Sequence, residues 1–324
     1  MTNSAVESAI ITVTYNCEDF IEDFLASVKD QLTPKSQAHL IIVDNLSSDN
    51  TVGAVKKYIE DNSLSAQITL LPQTKNLGFG AGCNAGVAAA KSLNPKYYWF
   101  LNPDTLVFPE TRPKLVEFLE QNSRAGFVCS QLEDKSGNPR SSGFRFPSAV
   151  SELCASLRLG VVDRIFANGK IAIPVQTEPH QADWLTGASF LVTAQAFDRL
   201  NGFDETFFLY FEEVDLCFRA NQNNIERWVN PASKIYHIAG ASTGISSGKK
   251  AIKRRPQYWF NSRRHYYIKN HGYLYFALTD LITVIGLSIF KLRAAIQRKE
   301  SNDPPHLLLD YARNSLFLSP KGKQ

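Results

Sequence analysis

Residues 97–105 read YYWFLNPDT, five large apolar side chains followed directly by a polar turn. A short, wholly apolar run is typical of a strand that is buried on both faces in a parallel sheet. Ligands of open α/β sheets bind at the carboxyl ends of the strands, so Asn102 and Asp104 stand where such a sheet places its chemistry. The simpler interpretation is a plain turn, since Asn, Pro and Asp are all common in turns. The rest of the chain decides between the two.

The flanking sequence alternates between runs of β-branched or aromatic residues and helical patterns. This alternation indicates βαβ units and therefore the α/β class, with an open, mostly parallel twisted sheet and flanking helices. Strands are predicted at 9–15, 39–43, 67–71, 97–101, near Phe127, 189–192, 227–229 and 234–236. Helices are predicted at 17–31, 50–59, 81–91 and 109–121.

The composition narrows the function classes. The 324 residues are 44% apolar and 20% charged, which is the composition of a globular protein with a sizeable core. The net charge of +4 is too small to imply a nucleic-acid partner, and none is expected. Five cysteines without a Cys-x-x-Cys pair favour buried thiols in a reducing compartment over disulfides or a zinc site. No signal peptide is visible, so a cytoplasmic protein is expected.

Polar residues follow each of the first four predicted strands. Thr14, Asp44, Asn76 and Asp104 would lie along one edge of a parallel sheet and face a single crevice. No Gly-x-Gly-x-x-Gly follows the first strand, which disfavours a nicotinamide-dependent dehydrogenase. The glycine-rich residues 78–82 follow the third strand instead, where a tight turn and close helix–sheet packing explain them.

Residues 201–215 interleave five acids with large aromatic side chains. Carboxylates beside apolar groups have a raised proton affinity, which suits general-base chemistry near neutral pH. Glu212 and Glu213 also begin a predicted helix, where the helix dipole favours acids, so a structural role explains them equally well. His237 follows a later predicted strand. A lone histidine is more often structural, but its position in a chain with a strand-end acid makes it a candidate metal ligand.

Eight short motifs occur in a fixed order between residues 9 and 240. They are Val13-Thr14-Tyr15-Asn16, Val43-Asp44-Asn45 with Ser47 and Asp49, Asn76-x-Gly78-Phe79 with Asn84 and Gly86, Asn102-Pro103-Asp104, Trp184 with Gly187-Ala188, Gly202-Phe203-Asp204-Glu205, Phe211-Glu212-Glu213-x-Asp215-Leu216, and His237. Together they resemble the family 2 glycosyltransferases of the GT-A fold. The set is similar in particular to the rhamnosyltransferase-like and galactofuranosyltransferase-like branch.

The resemblance implies a donor site for a nucleotide sugar, a dTDP- or UDP-sugar, with dTDP-rhamnose as the first choice. Thr14, Asn16 and Asp44 would hold the nucleoside and its ribose. Asn76 and Gly78 would lie near the base and the diphosphate. The other donor-site residues implied are Tyr15, Asn45, Phe79, Asn84 and Asn102.

The resemblance also implies the chemistry. Asp104 and His237 would bind Mg²⁺ or Mn²⁺, which neutralises the departing nucleoside diphosphate. Glu213, or its neighbour Glu212, would take the proton of the acceptor hydroxyl in one in-line displacement with inversion. The acceptor would be a lipid-linked or polysaccharide glycan. The sugar and acceptor pocket would be shaped by Trp184, Gly187, Ala188 and Asp204.

Two departures from the family pattern keep alternatives open. Asn102 replaces the first aspartate often found at the metal site, which leaves a neutral ligand or none. Glu212-Glu213 replaces the commoner Glu-Asp pair, so the choice of base stays open. One alternative is a sugar nucleotidyltransferase, although residues 14–17 lack the basic, glycine-rich phosphate loop that it needs. The other is a non-catalytic glycan- or membrane-binding protein on the same fold.

The predicted domains are a glycosyltransferase domain at 1–245, in which 148–175 is an insertion or lid, and a helical extension at 246–324. Residues 249–269 carry eight basic residues and no acid, interleaved with aromatic side chains. Single-stranded nucleic acid suits this mixture, but the apolar residues 273–290 that follow favour an anionic membrane surface. Asp280 disfavours a spanning helix. We expect an interfacial helix on the inner membrane surface, at its cytoplasmic face, or a helix buried in a homo-oligomer.

Overall fold

The computed structural model describes residues 6–33, 36–238, 253–299, 301 and 303–318. The predicted domain boundary at 245/246, together with Lys249 and Lys250, lies outside the described residues. The first half of the chain contains Ser8–Thr14 (β1), Ile21–Val28 (α1), Ala38–Asp44 (β2), Thr51–Asp61 (α2), Ile68–Pro72 (β3), Phe79–Ala90 (α3), Tyr97–Leu101 (β4), Thr105–Val107 (β5), Thr111–Gln121 (α4), Ala125–Glu133 (β6), Pro139–Arg140 (β7), Gly143–Phe144 (β8) and Ala149–Leu157 (α5). The second half contains Gly160–Ile165 (α6), His180–Gln181 (β9), Trp184–Leu185 (β10), Ser189–Thr193 (β11), Ala194–Arg199 (α7), Glu212–Gln222 (α8), Glu226–His237 (β12), Gln257–His271 (α9), Tyr273–Ile296 (α10) and Leu307–Asn314 (α11).

One large mixed sheet forms the centre of the molecule. Its strand order is β3-β2-β1-β4-β11-β6-β12-β5, with β7 paired to β6 and β9 paired to β12. The strands β3, β2, β1 and β4 are parallel, and so are β6 and β12. Strand β11 lies between β4 and β6 and is antiparallel to both. The predicted α/β class, with a mostly parallel sheet and flanking helices, is confirmed.

Alternating side chains of the central strands pack into two apolar layers, one on each face of the sheet. Ile10 and Trp99 pack on one face of the sheet, against α1, α2 and α4. Their neighbours Ile11 and Phe100 pack on the other face, against α3, α7 and α8. Successive side chains of a strand point to opposite faces, so a run of consecutive large apolar residues is buried only between two layers of helices. This is why the run at 97–101 predicts a central strand correctly.

The antiparallel strands bring late parts of the chain to the carboxyl edge of β4. The first residue of β11, Ser189, pairs with Leu101, the last residue of β4. The residues just before β11 therefore reach this edge, where the Asn102 backbone N–H donates to the Ala188 carbonyl oxygen (3.0 Å). In the same way, β12 runs antiparallel to β5 and places its last residue, His237, opposite Thr105.

Two predicted element boundaries are wrong. The strands predicted at 227–229 and 234–236 are parts of the single strand β12, which has a shift in its register between Asn230 and Lys234. Pro231 lies in this shift, and proline has no N–H to continue the ladder. The helix predicted at 17–31 begins only at Ile21.

The C-terminal helices pack on the rest of the molecule. An apolar cluster joins α9 and α10 to the chain around α8, and α10 also packs against α5. Between α5, α9 and α10, the buried Arg263 donates to Glu152 (2.9 Å) and to Asp280 (2.7 Å). Part of the predicted insertion at 148–175 is thus in contact with the C-terminal helices. The lid role and the domain division stay predictions.

Candidate active site

A cavity of about 400 Å³ opens at the carboxyl edge of the parallel strands. Its volume lies within the range of small-molecule binding sites. It is lined by Val13, Tyr15, Cys17, Asn45, Asn76, Gly78, Phe79, Asn102, Pro103, Phe208, Leu209 and Tyr258. Six of the predicted donor-site residues are therefore brought together here: Tyr15, Asn45, Asn76, Gly78, Phe79 and Asn102.

Three other predicted donor-site residues, Thr14, Asn16 and Asp44, do not line the cavity. The Asp44 carboxylate is buried and accepts hydrogen bonds from Thr14 Oγ1 (2.9 Å) and from the backbone N–H of Ser47 (2.9 Å). The side-chain oxygen of Asn16 accepts from the backbone N–H of Ser48 (2.8 Å). Thr14, Asn16 and Asp44 thus brace the turn after β2 against the end of β1. Their direct contact with a ribose stays a prediction.

A tight turn at Gly78 shapes the floor of the cavity. The Asn76 side-chain oxygen accepts from the Gly78 N–H (2.9 Å), and Asn45 Nδ2 donates to the Gly78 carbonyl oxygen (2.8 Å). The φ angle of Gly78 is +81°, and a Cβ at this position would lie 2.1 Å from the Phe208 carbonyl oxygen. That oxygen also accepts from the Phe79 N–H (3.0 Å). Only glycine fits this turn without moving the segment around Phe208.

The two predicted metal ligands are neighbours. His237 Nε2 lies 3.3 Å from Asp104 Oδ1, although 133 positions separate the two residues in the chain. Asp104 Oδ1 is buried and has no hydrogen-bond donor among the described residues. The described part of the chain contains no group of three or more His, Cys, Asp or Glu residues arranged for a metal. A carboxylate oxygen and an imidazole nitrogen still fit Mg²⁺ or Mn²⁺, which take remaining ligands from water and substrate phosphates.

Glu212 and Glu213 begin helix α8, and the structure buries both carboxyl groups. The Oε2 atom of each is buried without a hydrogen bond to the described residues. Burial raises the pKa of Glu213 to about 7. Burial, together with the neighbouring Glu213, raises the pKa of Glu212 well above its usual value. A carboxyl group that titrates near neutral pH is suited to accept a proton from a substrate.

The surroundings of the two glutamates differ. A Cβ built on Gly187 would lie 3.7 Å from Glu213 Oε1 and 3.8 Å from the ring of Phe79, which lines the cavity. A Cβ built on Gly80 would lie 3.5 Å from Glu212 Cβ, on the side of Phe203 in the core. Neither glutamate lines the cavity, but Glu213 shares Gly187 as a neighbour with the cavity-lining Phe79, whereas Glu212 faces the core.

The sequence of this chain matches the model of a known protein family. Residues 9–163 match the model described as Glycosyl transferase family 2. This chain contains a family 2 glycosyltransferase domain.

Relatives agree with the assignment. The N-acetylglucosaminyl-diphospho-decaprenol L-rhamnosyltransferase of Mycobacterium tuberculosis is 26% identical over 267 residues, covering 79% of this chain and 84% of that protein. The rhamnosyltransferase WbbL of Escherichia coli is 26% identical over 237 residues, covering 71% and 83%. The mannosyltransferase PcManGT of Pyrobaculum calidifontis, solved with GDP-Man and Mn²⁺, superposes with a TM-score of 0.53 at 15% identity, over 98% of this chain and 82% of that chain. The expected GT-A fold is confirmed.

Two further predicted site residues, Asn84 and Asp204, also lie outside the cavity lining. Asn84 exchanges hydrogen bonds with the backbone of Phe203, through Nδ2 (2.9 Å) and Oδ1 (3.0 Å), and so fixes the loop before α8. Asp204 accepts from Lys269 Nζ (2.8 Å) and His265 Nε2 (2.9 Å) on α9. Burial opposes ionisation of Asp204, but these hydrogen bonds hold its pKa well below the usual value. Asp204 thus anchors α9 in place of facing the donor cavity.

The remaining predicted pocket residues occupy different places. Trp184 stacks on Phe144, with the ring centroids 4.3 Å apart, and its indole N–H donates to the Arg145 carbonyl oxygen (2.9 Å). It does not line the cavity. Gly187 lies beside Glu213, and the carbonyl of Ala188 holds Asn102.

Sequence reasoning missed part of the cavity wall. Phe208 and Leu209 belong to the acidic aromatic segment, in which the sequence marks only the acids as candidate functional residues. Tyr258 belongs to the basic aromatic segment that the sequence assigns to a membrane surface. Alternating aromatic and charged residues are the signal common to both segments. That signal does not tell which aromatic side chain faces a cavity.

Proposed function

We propose that this glycosyltransferase is a metal-dependent, inverting enzyme that moves a sugar from a nucleotide sugar to a hydroxyl of a lipid-linked or polysaccharide glycan. The first choice of donor is dTDP-rhamnose, with a UDP-sugar as the alternative. Two relatives are named rhamnosyltransferases, and the name of one includes a decaprenol-linked N-acetylglucosaminyl diphosphate. A structural neighbour binds GDP-Man together with Mn²⁺.

The observation that carries the proposal is the pair of Asp104 and His237 beside the cavity. Asp104 Oδ1 is buried without a hydrogen bond to the described residues, its nearest charged neighbour being His237 Nε2 at 3.3 Å, and a buried carboxylate oxygen is costly unless a cation or a donor satisfies it. We infer that this oxygen and His237 Nε2 hold Mg²⁺ or Mn²⁺. When bound there, the ion supplies Lewis-acid stabilisation of the charge on the departing diphosphate.

The residues of the chain perform the remaining steps. The cavity wall holds the nucleoside and orients the sugar, which places the anomeric carbon within reach of the acceptor. The acceptor oxygen then bonds to the anomeric carbon while the bond from this carbon to the diphosphate oxygen breaks. Glu213 accepts the hydroxyl proton, and its pKa of about 7 keeps it substantially ionised at neutral pH. A single in-line displacement of this kind inverts the configuration of the sugar.

Calorimetric titration of dTDP and UDP into the full chain, with and without Mn²⁺, tests the proposal. The wild type should bind one or both nucleotides with Mn²⁺. The variant Asp104→Asn, which keeps the shape of the side chain, should lose the Mn²⁺-dependent part of the affinity. Asp198→Asn is the matched control, because Asp198 is a half-exposed acid paired with Lys91 outside the cavity. No binding of either nucleotide by the wild type would contradict the proposal and favour the non-catalytic alternative.

We also propose that the enzyme works peripherally on the cytoplasmic face of the membrane, docked through α10. Among the described residues, α10 is the one helix long and apolar enough to cross a membrane, judged by length and composition. Three polar residues of its N-terminal half, Thr279, Asp280 and Thr283, are buried. The five cysteines are free and buried, which fits a reducing compartment.

The outward face of α10 supports a lipid surface as its partner. It is a stripe of seven exposed apolar residues, Leu274, Leu278, Leu281, Ile285, Ile289, Leu292 and Ile296, which recur every three or four positions along one side of the helix. Contact with water alone does not favour a helix that exposes such an apolar stripe while Thr279, Asp280 and Thr283 are buried. The exposed Lys291, Arg298 and Lys299 near the end of α10 would meet anionic headgroups.

A further inference from the structure

One face of α9 runs along the active site. Tyr258, Ser262, His265 and Lys269 are spaced by four, three and four residues, so they lie on the same side of this helix. Ser262 Oγ donates to the Leu209 carbonyl oxygen (3.0 Å), in the segment that forms one wall of the cavity. Further along, His265 and Lys269 bond Asp204, as described above. Each turn of this face is thus attached to the chain between residues 204 and 215.

The last turn of this face reaches the helix that carries the proposed base. Lys269 Nζ donates to Asp215 Oδ2 (2.9 Å), and Asn270 Nδ2 donates to Asp215 Oδ1 (3.1 Å). Asp215 lies on α8 two positions after Glu213 and is fully buried. Helix α9 therefore links the cavity wall at its first turn to the start of α8 at its last turn.

Tyr258 is the residue of this face that lines the cavity. Its ring lies 5.5 Å from the ring of Phe208 and stacks on Tyr210 at 6.1 Å with an interplanar angle of 23°. These contacts hold the ring against the segment that forms one wall of the cavity. The same cavity is lined by Tyr15 and Phe79. Flat aromatic rings in a half-buried slot offer stacking surfaces to a nucleobase, whichever base it is.

We propose that Tyr258 is a donor-binding residue that supplies a stacking face for the nucleobase, and that α9 holds this face in a fixed position relative to Glu213. The inference rests on the proposed function, since it assigns a place to the base of the nucleotide sugar. The proposal assigns α9 to the donor site, whereas the sequence assigns this segment to a membrane surface. A purely structural Tyr258 would affect folding stability and leave nucleotide affinity unchanged in a folded variant.

Calorimetric titration of UDP and dTDP into the full chain with Mn²⁺ tests the assignment. Tyr258→Leu keeps an apolar side chain and removes the ring, whereas Tyr258→Phe keeps the ring and removes the hydroxyl. Tyr273→Leu is the matched control, because Tyr273 is 64% exposed at the start of α10 and outside the cavity. We expect Tyr258→Leu to weaken binding about tenfold or more, and the other two variants to stay within about twofold of the wild type.

A second measurement does not depend on the leucine variant folding. In the protein labelled with ¹³C-tyrosine, the resonance that disappears in Tyr258→Phe belongs to Tyr258. This resonance should shift when UDP or dTDP binds to the wild type. Thermal melts of all variants accompany the titrations.

Each outcome bears on one claim. If the wild type binds nucleotide, and Tyr258→Leu is folded and binds equally well, the inference is wrong while the proposed function stands. An unshifted Tyr258 resonance in a nucleotide-saturated wild type also refutes it. Equal loss of affinity in Tyr258→Leu and Tyr258→Phe would assign the contact to the hydroxyl and refute stacking. If the wild type binds neither nucleotide, the proposed function fails, and the inference fails with it.

Discussion

The substitution Glu213→Gln should make this enzyme inactive and, at alkaline pH, more stable. The pKa of Glu213 is raised from 4.5 to about 7 by burial, so the folded state binds its proton more tightly than the unfolded state does. The stabilisation by this protonated group is fully present below pH 4.5 and is lost as the pH rises through 7. The shift of about 2.5 units corresponds to about 3 kcal/mol at 1.36 kcal/mol per unit. Glutamine keeps the size of the side chain and cannot ionise.

The expected result has a defined pH dependence. Relative to the wild type, Glu213→Gln should gain about 1 kcal/mol in free energy of unfolding at pH 5 and about 3 kcal/mol at pH 8. Turnover should fall by about a hundredfold to ten-thousandfold, the usual contribution of a general base. Nucleotide binding should survive. In the wild type, kcat/KM should decrease as the pH falls below about 7, because Glu213 must be ionised to accept a proton.

Urea denaturation at the two pH values and a turnover assay on the same preparations provide the measurements. Glu117→Gln is the control, since Glu117 is half-exposed on α4 and should show no comparable pH-dependent gain. A Glu213→Gln variant that is no more stable than the wild type at pH 8 would refute the burial argument. An active Glu213→Gln variant beside an inactive Glu212→Gln variant would assign the base to Glu212.

Three further variants test other parts of the structure. Gly78→Ala places a Cβ against the Phe208 carbonyl at a residue with a positive φ. Thermal melts should show that the free energy of unfolding falls by about 2 kcal/mol or more. An unchanged melt would mean that the turn relaxes freely. Arg263→Met leaves the buried Asp280 and the partly exposed Glu152 without their cation. The free energy of unfolding measured in urea should fall by about 3–5 kcal/mol, and an unchanged value would contradict the ionic cluster. The double variant Leu281→Glu with Ile285→Glu should no longer cosediment with vesicles that contain anionic lipid. If the double variant instead loses an oligomer that the wild type forms in gel filtration, the partner of α10 is a second copy of this chain.

The central strands are predicted well from the sequence because each is marked by a short run of consecutive apolar residues. A run such as 97–101 can be buried only inside a two-sided sheet, and the polar residues after it then reach the carboxyl edge. The proximity of Asp104 and His237 has a different origin. It depends on β12 running antiparallel to β5, a pairing that no spacing in the sequence reveals. In the sequence, only the resemblance to a family assigns these two residues to one metal site.

The role of a polar side chain inside an aromatic segment is harder to predict. Asp204 and Glu213 are both acids among aromatic residues, yet one bonds α9 while the other lies beside the cavity. The difference comes from His265 and Lys269, which lie more than 50 positions further along the chain. Tyr258 shows the same limitation, because the packing of the preceding part of the chain decides whether its side chain faces solvent or the cavity. Long-range packing sets these roles.

Asp280 has a consequence for how this protein is made. As α10 leaves the ribosome, its 24 mostly apolar residues resemble a segment that the membrane-insertion machinery would accept. An aspartate near the centre of an inserting helix disfavours insertion by about 2.5–3.5 kcal/mol, and Asp280 stands within this helix. Once the chain has folded, Arg263 neutralises the same carboxylate. We therefore expect Asp280→Leu to direct a fraction of newly made chains into the bilayer, where they would resist extraction by alkaline carbonate.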